Sequence, residues 1–297
     1  MQTSFRMEGE GAGNQCYRWS PEGVPHAVVV IAHGMGEHAG RYARLAEEFV
    51  RHGLETFALD HCGHGRTASH EGELGVFGPA GWDGVVDDYA RLVAQGRSLR
   101  PGVPVVVLGH SMGSFVVQQF LLDHAAEVDA AVLSGSAALD EVKVIVDTTT
   151  PLELSMLNAP FVPARTDFDW LSRDEAEVDA YLADPLCGFG VDPAGLASWF
   201  ANSDRLADPT ALTAIGEGFP IALVAGSADP VNAGFAWLEP LASRYADAGI
   251  RVTKLYYDGA RHEVFNEVNR DEISADVIAW LDRALQRAPA PSRPPAG

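Results

Sequence analysis

The clearest chemical signal in the sequence is a serine held between two glycines. Ser111 stands at the centre of Gly109-His110-Ser111-Met112-Gly113, which matches the pattern G-x-S-x-G. An apolar run at residues 103–108 leads directly into this segment, and a helical pattern at 114–124 follows it. This context predicts a sharp strand-to-helix turn that raises the serine hydroxyl above a sheet as a nucleophile. Because side chains at the flanking positions would collide, glycine is required at both.

A serine hydroxyl needs a general base, and the base needs an acid that orients it. In a fold of this kind the acid follows a later strand and the histidine follows the last one. Asp229 lies just past the apolar run 221–225, and His262 lies just past the final apolar run. We therefore predict Ser111, Asp229 and His262 as the catalytic residues. Asp258, in the loop that carries the histidine, remains an alternative acid.

Acyl transfer also requires donors for a tetrahedral oxyanion. One donor is expected to be the backbone N–H of Met112, directly after the serine. The second is expected in the loop after an early strand, and the apolar run 27–32 leads into His33-Gly34-Met35-Gly36. We predict the N–H of Met35 as this donor. Removing one such donor typically lowers the rate about 10²- to 10³-fold.

Other histidines and the cysteines give no comparable signal. His61, His64 and His70 share one loop, but they lack the acidic residues at ligand spacing that a metal site would add. The three cysteines are widely spaced and form no Cys-x-x-Cys pair. We therefore predict free thiols, no metal and no cofactor.

Short apolar runs alternate with helical patterns along most of the chain. Runs unbroken by polar residues suit strands covered on both faces, as in a parallel sheet. The predicted strands are residues 27–32, 54–59, 103–108, 130–133, 221–225 and 252–256, preceded by a hairpin of 3–8 and 14–19 with a glycine-rich turn at 9–13. The predicted helices are 41–52, 82–95, 114–124, 235–248 and 272–285. This alternation predicts a doubly wound α/β fold with a mostly parallel central sheet flanked by helices.

One stretch, residues 140–212, interrupts the alternation. It has no clear strand pattern, it contains Pro151, Pro160 and Pro163, and it is rich in aromatic residues. A long interruption with its own apolar content is typical of an inserted, mainly helical cap. We predict a core formed by residues 1–139 and 213–287, a cap at 140–212, and a flexible proline-rich tail at 288–297.

The charge balance narrows the choice of partners. The 297 residues include 41 acidic and 21 basic side chains, a net charge of −20, so phosphate backbones and anionic membranes are repelled. No apolar stretch approaches the roughly 20 residues that span a bilayer, and the N-terminus lacks a signal-peptide pattern. We expect a cytoplasmic protein that binds no nucleic acid and does not insert stably into a membrane. An apolar rim on the cap would permit a homo-oligomer.

The sequence resembles the monoacylglycerol lipases and related lysophospholipase-like α/β-hydrolases over roughly residues 27–285. The family resemblance implies an α/β-hydrolase fold with a lid over an acyl pocket, and cofactor-free serine esterase chemistry on uncharged esters of medium or long acyl groups. The segments that carry it follow the family's order and are residues 33–42, 60–65, 109–113, 171–186, 226–229 and 259–263.

Within that resemblance we predict a set of substrate-binding residues. They come from the two active-site loops and from the apolar part of the cap, and they are His33, Gly34, His110, Leu152, Met156 and Phe161. Leu154 and Leu157 belong to the same predicted acyl tunnel, although all of these cap residues could equally pack the cap onto the core.

Three other functions remain open at this point. A lysophospholipase would use the same machinery on a charged lipid. An aminopeptidase-type hydrolase would need cap acids to bind an amine, and Asp167, Asp169, Glu175 or Glu177 could serve. A non-catalytic ligand-binding protein can also be built on this fold.

Overall fold

The computed structural model describes residues 1–8, 13–68 and 70–286. The predicted tail at 288–297 and most of the predicted turn at 9–13 lie outside these residues. Eight strands form one sheet in the order β1-β2-β4-β3-β5-β6-β7-β8. They are β1 Gln2–Met7, β2 Asn14–Trp19, β3 Ala27–Ala32, β4 Leu54–Leu59, β5 Val105–His110, β6 Ala130–Ser134, β7 Pro220–Gly226 and β8 Arg251–Tyr257.

The sheet is mostly parallel, as predicted. β1 and β2 form an antiparallel hairpin at one edge, β2 runs antiparallel to β4, and all other pairs are parallel. Every residue of β3, β4, β5, β6 and β7 is buried, which explains their largely apolar sequences. β4 also buries two polar residues, Glu55 and Thr56. The predicted α/β-hydrolase fold class is confirmed.

Helices cover both faces of the sheet and divide the core into two layers. They are α1 Ala43–Arg51, α2 Gly81–Leu99, α3 Met112–His124, α4 Leu139–Lys143, α5 Glu175–Ala183, α6 Pro193–Phe200, α7 Ser203–Ala207, α8 Pro209–Thr213, α9 Leu238–Asp247 and α10 Arg270–Gln286. Alternate residues of β3 enter the two layers: Val28 and Val30 belong to the layer that contains α2, α3 and α9, whereas Val29 and Ile31 belong to the layer that contains α1 and α10.

Residues 140–212 contain helices and turns but, in the described structure, no strand. The segment falls into two parts, a first part at residues 140–188 and a second part at residues 189–212. Its first part has a small cluster of its own, which consists of Leu154, Trp170, Leu171 and Tyr181. Its second part joins the main core, where Trp199 of α6 stacks on Trp82 of α2 with ring centroids 4.8 Å apart. This cluster is therefore separate from the main core, whereas Val142, Val146 and Leu152 of the first part pack against that core.

Searching the described residues for a helix long and apolar enough to cross a bilayer finds none.

Candidate active site

Ser111 occupies the tight turn between β5 and α3. Its backbone angles, φ 52° and ψ −122°, are rare for a residue with a side chain. The flanking glycines are required by close backbone contact: a Cβ on Gly113 would lie 2.1 Å from the carbonyl oxygen of Ala32, and a Cβ on Gly109 would lie 2.2 Å from that of Gly113. β5 runs two residues further than the predicted strand, so it ends directly at the serine.

His262 and Asp229 meet at the carboxyl end of the sheet. His262 Nδ1 and Asp229 Oδ1 are 2.9 Å apart, and both side chains are buried. Asp229 is held in place by the N–H of Val231, which donates to Oδ1 at 2.9 Å, and by the amide of Asn232. Asp258, the alternative acid, is exposed and accepts a hydrogen bond from Ser227 instead. The structure therefore pairs the histidine with Asp229.

The electrostatics keep His262 suited to accept a proton. Burial alone would lower its pKa, but the Asp229 carboxylate outweighs burial and raises it above the ordinary value of 6.5. The neighbouring His110 ring lies 4.7 Å away, centroid to centroid, and burial lowers its pKa so that it stays neutral. With Nδ1–H donated to Asp229, Nε2 carries the lone pair that a general base needs.

A cavity of about 550 Å³ lies between the sheet and the first part of the cap. Ser111 and His262 both line this cavity, and Asp229 is hydrogen-bonded to His262, so the three predicted catalytic residues lie in one region. Most of the wall is apolar. Its members include Phe115, Val146, Leu152, Leu157, Trp199 and Trp237.

The two predicted oxyanion donors belong to different segments next to Ser111. Met112 is the first residue of α3, where amides have no acceptor within the helix. Met35 lies in the loop after β3 and lines the cavity. This loop touches the serine, since a Cβ on Gly34 would lie 3.1 Å from Ser111 Cβ. The oxyanion-donor roles of Met35 and Met112 stay predictions.

The predicted substrate-binding residues divide into two groups. Gly34, His110, Leu152 and Met156 line the cavity. His33 and Phe161 do not, and for these two the sequence prediction needs correction. His33 is fully buried, its Nδ1 lies 2.7 Å from the Gly34 carbonyl oxygen, and its Nε2 accepts the N–H of His61. Phe161 packs instead under the guanidinium of Arg261.

The histidines considered for a metal do not converge. His61 and His64 are buried near His33, whereas His70 is exposed beside Glu73. Burial lowers the pKa of His61 to about 3 and that of His64 to about 4, so both rings are neutral near pH 7.

A different cluster, His38, Asp184 and Cys187, brings three potential ligand atoms within 4.8 Å of one another. His38 Nδ1 accepts the N–H of Gly40, and Nε2 lies 3.0 Å from Asp184 Oδ2. A metal on Nε2 would require the other tautomer and the loss of the Gly40 hydrogen bond. Burial also raises the pKa of the Cys187 thiol. The hydrogen bonds present thus oppose a metal here.

Sequence reasoning missed a buried ion cluster beside the triad. Arg41 contacts Glu37 at 2.7 Å and makes two hydrogen bonds to Glu263, at 2.5 and 2.8 Å. Glu37 and Arg41 lie in the segment that carried the family resemblance, and Glu263 follows His262 directly. The only sequence signal was the presence of charged residues in two otherwise glycine-rich loops.

A mostly parallel sheet, a strained serine turn at the end of its central strand and a hydrogen-bonded Asp–His pair at the same edge define a serine hydrolase of the α/β class. Similarity to known proteins supports the same class. A family model described as serine aminopeptidase, S33 matches residues 23–269. The chain is 36% identical to the monoacylglycerol lipase of Mycolicibacterium smegmatis, over 95% of this chain and 99% of that one.

Two further matches extend the comparison. The mouse (Mus musculus) monoglyceride lipase is 30% identical over 93% of this chain and 88% of its own. A thermostable carboxyl esterase from Bacillus coagulans has the same fold, with a TM-score of 0.84 at 24% identity over 96% of this chain and 99% of that one. The chain therefore belongs to the serine aminopeptidase S33 family of α/β-hydrolases, as a monoacylglycerol lipase-like serine hydrolase.

Proposed function

We propose that this protein hydrolyses uncharged esters of single acyl chains, such as monoacylglycerols, through an acyl-enzyme on Ser111. One observation carries the proposal: an apolar cavity of about 550 Å³ ends at Ser111 and at a histidine hydrogen-bonded to a buried aspartate. The apolar wall would hold the acyl chain, while the polar end would hold the reacting ester. The names of the relatives support the same substrate class.

The chemistry follows from the positions of the groups. Ser111 Oγ attacks the ester carbonyl carbon as His262 Nε2 takes its proton, and the N–H groups of Met35 and Met112 stabilise the oxyanion. The C–O bond to the alcohol then breaks, and His262 returns the proton to the leaving oxygen. Water, deprotonated by His262, attacks the acyl-enzyme, which releases the carboxylic acid and restores Ser111. Asp229 holds the imidazole tautomer throughout.

The charge of the cavity favours a neutral substrate over a lysophospholipid. Among the described residues that line it, none is lysine or arginine, so a phosphate would find no cationic partner. Asp147 and Glu153 lie on the wall and would repel it. We infer that lysophospholipids are poor substrates.

An aminopeptidase activity is a weaker alternative. The family description names such an enzyme, but the four cap acids that could bind an amine are absent from the described cavity wall. Asp169 accepts hydrogen bonds from Arg165 and Thr166, and Glu177 pairs with Arg44. Because Asp169 and Glu177 are engaged by Arg165, Thr166 and Arg44 away from the cavity, we rank amides below esters.

We infer further that residues 140–212 act as the cap, and that its first part controls access to Ser111. The exposed side chains Ile145 and Met156 line this part of the cavity and would meet an incoming acyl chain. Cys16 and Cys187 form no disulfide, which supports a reducing compartment such as the cytoplasm.

A substrate panel tests the proposed function. Purified protein is assayed with monoacylglycerols, lysophospholipids, short p-nitrophenyl esters and aminoacyl amides, beside Ser111→Ala and the surface control Ser4→Ala. We expect monoacylglycerol turnover that Ser4→Ala retains and Ser111→Ala loses. Cleavage of the amides alone would overturn the ester assignment, and turnover by Ser111→Ala would overturn the mechanism.

A further inference from the structure

Arg41 lies at the junction of two active-site loops. One is the oxyanion loop, residues 33–38, and the other is the base loop, residues 258–263. The guanidinium contacts Glu37 in the first loop and Glu263 in the second. All three side chains are nearly inaccessible to solvent, with exposed fractions of 4% for Glu37, 11% for Arg41 and 6% for Glu263.

At the oxyanion loop, Glu37 acts directly on the backbone. Its Oε1 accepts the N–H of Gly34 at 2.6 Å and the hydroxyl of Tyr42 at 2.7 Å, while Oε2 receives Arg41. Gly34 immediately precedes Met35, whose N–H we propose as an oxyanion donor. The Glu37 carboxylate therefore fixes the peptide that carries the loop past Ser111.

At the base loop, Glu263 follows the proposed general base without an intervening residue. Its N–H donates to the Leu171 carbonyl at 2.7 Å. Its carboxylate accepts hydrogen bonds from two guanidinium nitrogens of Arg41 and from the side-chain amide of Asn266. A planar guanidinium with two parallel hydrogen bonds sets the orientation of its partner more strictly than an ammonium can. The position of His262 is thus tied to Arg41.

The cap contacts the same arginine. The ring of Tyr181, in α5, lies under the guanidinium, with 4.8 Å from Arg41 Cζ to the ring centroid. The Tyr181 hydroxyl donates to the Gly36 carbonyl at 2.8 Å. Oxyanion loop, base loop and cap therefore converge on one buried side chain.

We propose that Arg41 is a positioning residue that, through Glu37 and Glu263, aligns the Met35 N–H and the His262 imidazole with Ser111. This inference rests on the proposed function, because it assigns Arg41 to the alignment of that triad. A buried ion cluster is weak evidence for stability, since apolar residues of similar volume often serve as well. This ion cluster, however, joins the oxyanion loop to the base loop. Because the relative position of these two loops must stay fixed for catalysis, the placement of the cluster indicates a role in alignment.

The first test exchanges Arg41 for lysine, which keeps the charge but loses the two-pronged geometry. The matched control is Arg44→Lys. Arg44 lies three residues further along the chain, at the start of α1. It also joins the cap to the segment after the base loop, through Glu177 and Asn266, but contacts neither Glu37 nor Glu263. For Arg41→Lys we expect kcat for ester hydrolysis to fall about 10- to 100-fold with KM within threefold. Arg44→Lys should stay within threefold in both.

The second test uses Glu263→Gln and a pH profile, which a merely structural role would not move. Glu263 adds to the raised pKa of His262, so its neutralisation should lower that pKa. The acid limb of kcat/KM should then move about 0.5–1 pH unit toward lower pH. The charged or titratable groups around the imidazole are Asp229, His110, Glu37, Glu263 and, through the two glutamates, Arg41.

The outcomes separate this inference from the proposed function. If Ser111→Ala keeps its activity, the proposed function fails, whatever Arg41 does. If Ser111→Ala is inactive, Arg41→Lys is as active as Arg44→Lys and the Glu263→Gln acid limb is unmoved, only the positioning role is overturned. Should Arg41→Lys not fold, Glu263→Gln, which weakens the paired hydrogen bonds to Arg41, decides alone through kcat. A fall of about tenfold or more with KM within threefold supports the role, and an unchanged kcat contradicts it.

Discussion

The two walls of the cavity are held in different ways. On the core wall, Ser111 is forced into position by backbone contacts at two glycines, and Asp229 holds His262 by a hydrogen bond. The cap wall combines residues 142–153 with part of a 3₁₀ segment, Leu154–Phe161, and a small apolar cluster lies behind it. Met156 on this wall is 57% exposed.

We infer from this difference that the core wall determines the rate of the chemical step and that the cap wall determines which ester is preferred. A group that must lie within hydrogen-bond reach of a reacting atom belongs on a rigid element, because a displacement of about 1 Å can cost 10²-fold in rate. A wall that receives acyl chains can be looser. Changes in the core wall should therefore impair the hydrolysis of every ester, and changes in the cap wall should alter which ester is preferred.

The largest effect is expected for Asp229→Asn. An amide at this position stabilises the wrong imidazole tautomer, so kcat should fall about 10⁴-fold for short and long esters alike. The control is Asp258→Asn, the other aspartate near the base, which should stay within threefold. Steady-state kinetics of the two variants measure the contrast. Equal losses in both would mean that the acid has been misassigned.

Gly113→Ala should lower the free energy of unfolding, because the added methyl group would clash with the backbone at the core wall. The added Cβ would lie 2.1 Å from the Ala32 carbonyl oxygen, so β3 or α3 must move, at a cost of about 3 kcal/mol or more. Gly102→Ala is the comparison, because its Cβ would meet nothing within 4 Å and only its positive φ is unfavourable, worth about 1 kcal/mol. Urea unfolding gives both values. A Gly113→Ala variant no less stable than Gly102→Ala would contradict the close packing.

Protonation of His262 should change activity and stability in opposite directions. Only neutral His262 accepts a proton, so kcat/KM should fall about tenfold per unit below its raised pKa. Stability has the opposite sign. Because the folded pKa exceeds 6.5, the protonated pair stabilises the fold fully below about pH 6.5, and this contribution disappears as pH rises through the folded pKa.

Activity and urea unfolding, each measured from pH 5 to 9 for wild type and Asp229→Asn, test both signs. The stability advantage of wild type should shrink toward high pH. An advantage that grew with pH would show that the Asp229–His262 pair does not raise the pKa.

The smallest effect is expected in the cap. Leu152→Phe adds volume to the cavity wall, so kcat/KM for long acyl esters should fall about tenfold, while that for p-nitrophenyl acetate should change less than threefold. Leu182→Phe, an exposed cap position outside the described cavity wall, should leave both unchanged. A chain-length series measures the ratio. An equal loss for all chain lengths in Leu152→Phe would remove the distinction between the walls.

The core wall could be predicted from the sequence more completely than the cap wall. Buried parallel strands are marked by unbroken apolar runs, and β5 was displaced by only two residues from its predicted bounds. The turn at Ser111 is marked by local glycines, and the triad order follows from topology. These signals are local or topological, so one sequence carries them.

The ion cluster and the cap carry no such signal. Arg41 and Glu263 are 222 residues apart in the chain, and nothing local indicates that they pair. His33 looked like a site residue by its place in the loop, yet its ring turns toward the His61 backbone. In the cap, short helices and turns have too few residues for a clear period, so the direction of Phe161 could not be inferred.

The central claim is that Ser111 is the activated nucleophile of this site. Fluorophosphonate labelling, followed by intact mass and peptide mapping, tests it most directly. The account predicts one adduct per chain, located on Ser111, absent from Ser111→Ala and formed far more slowly in Asp229→Asn. Failure of the folded wild-type protein to react, or an adduct on another residue that persists in Ser111→Ala, would contradict it.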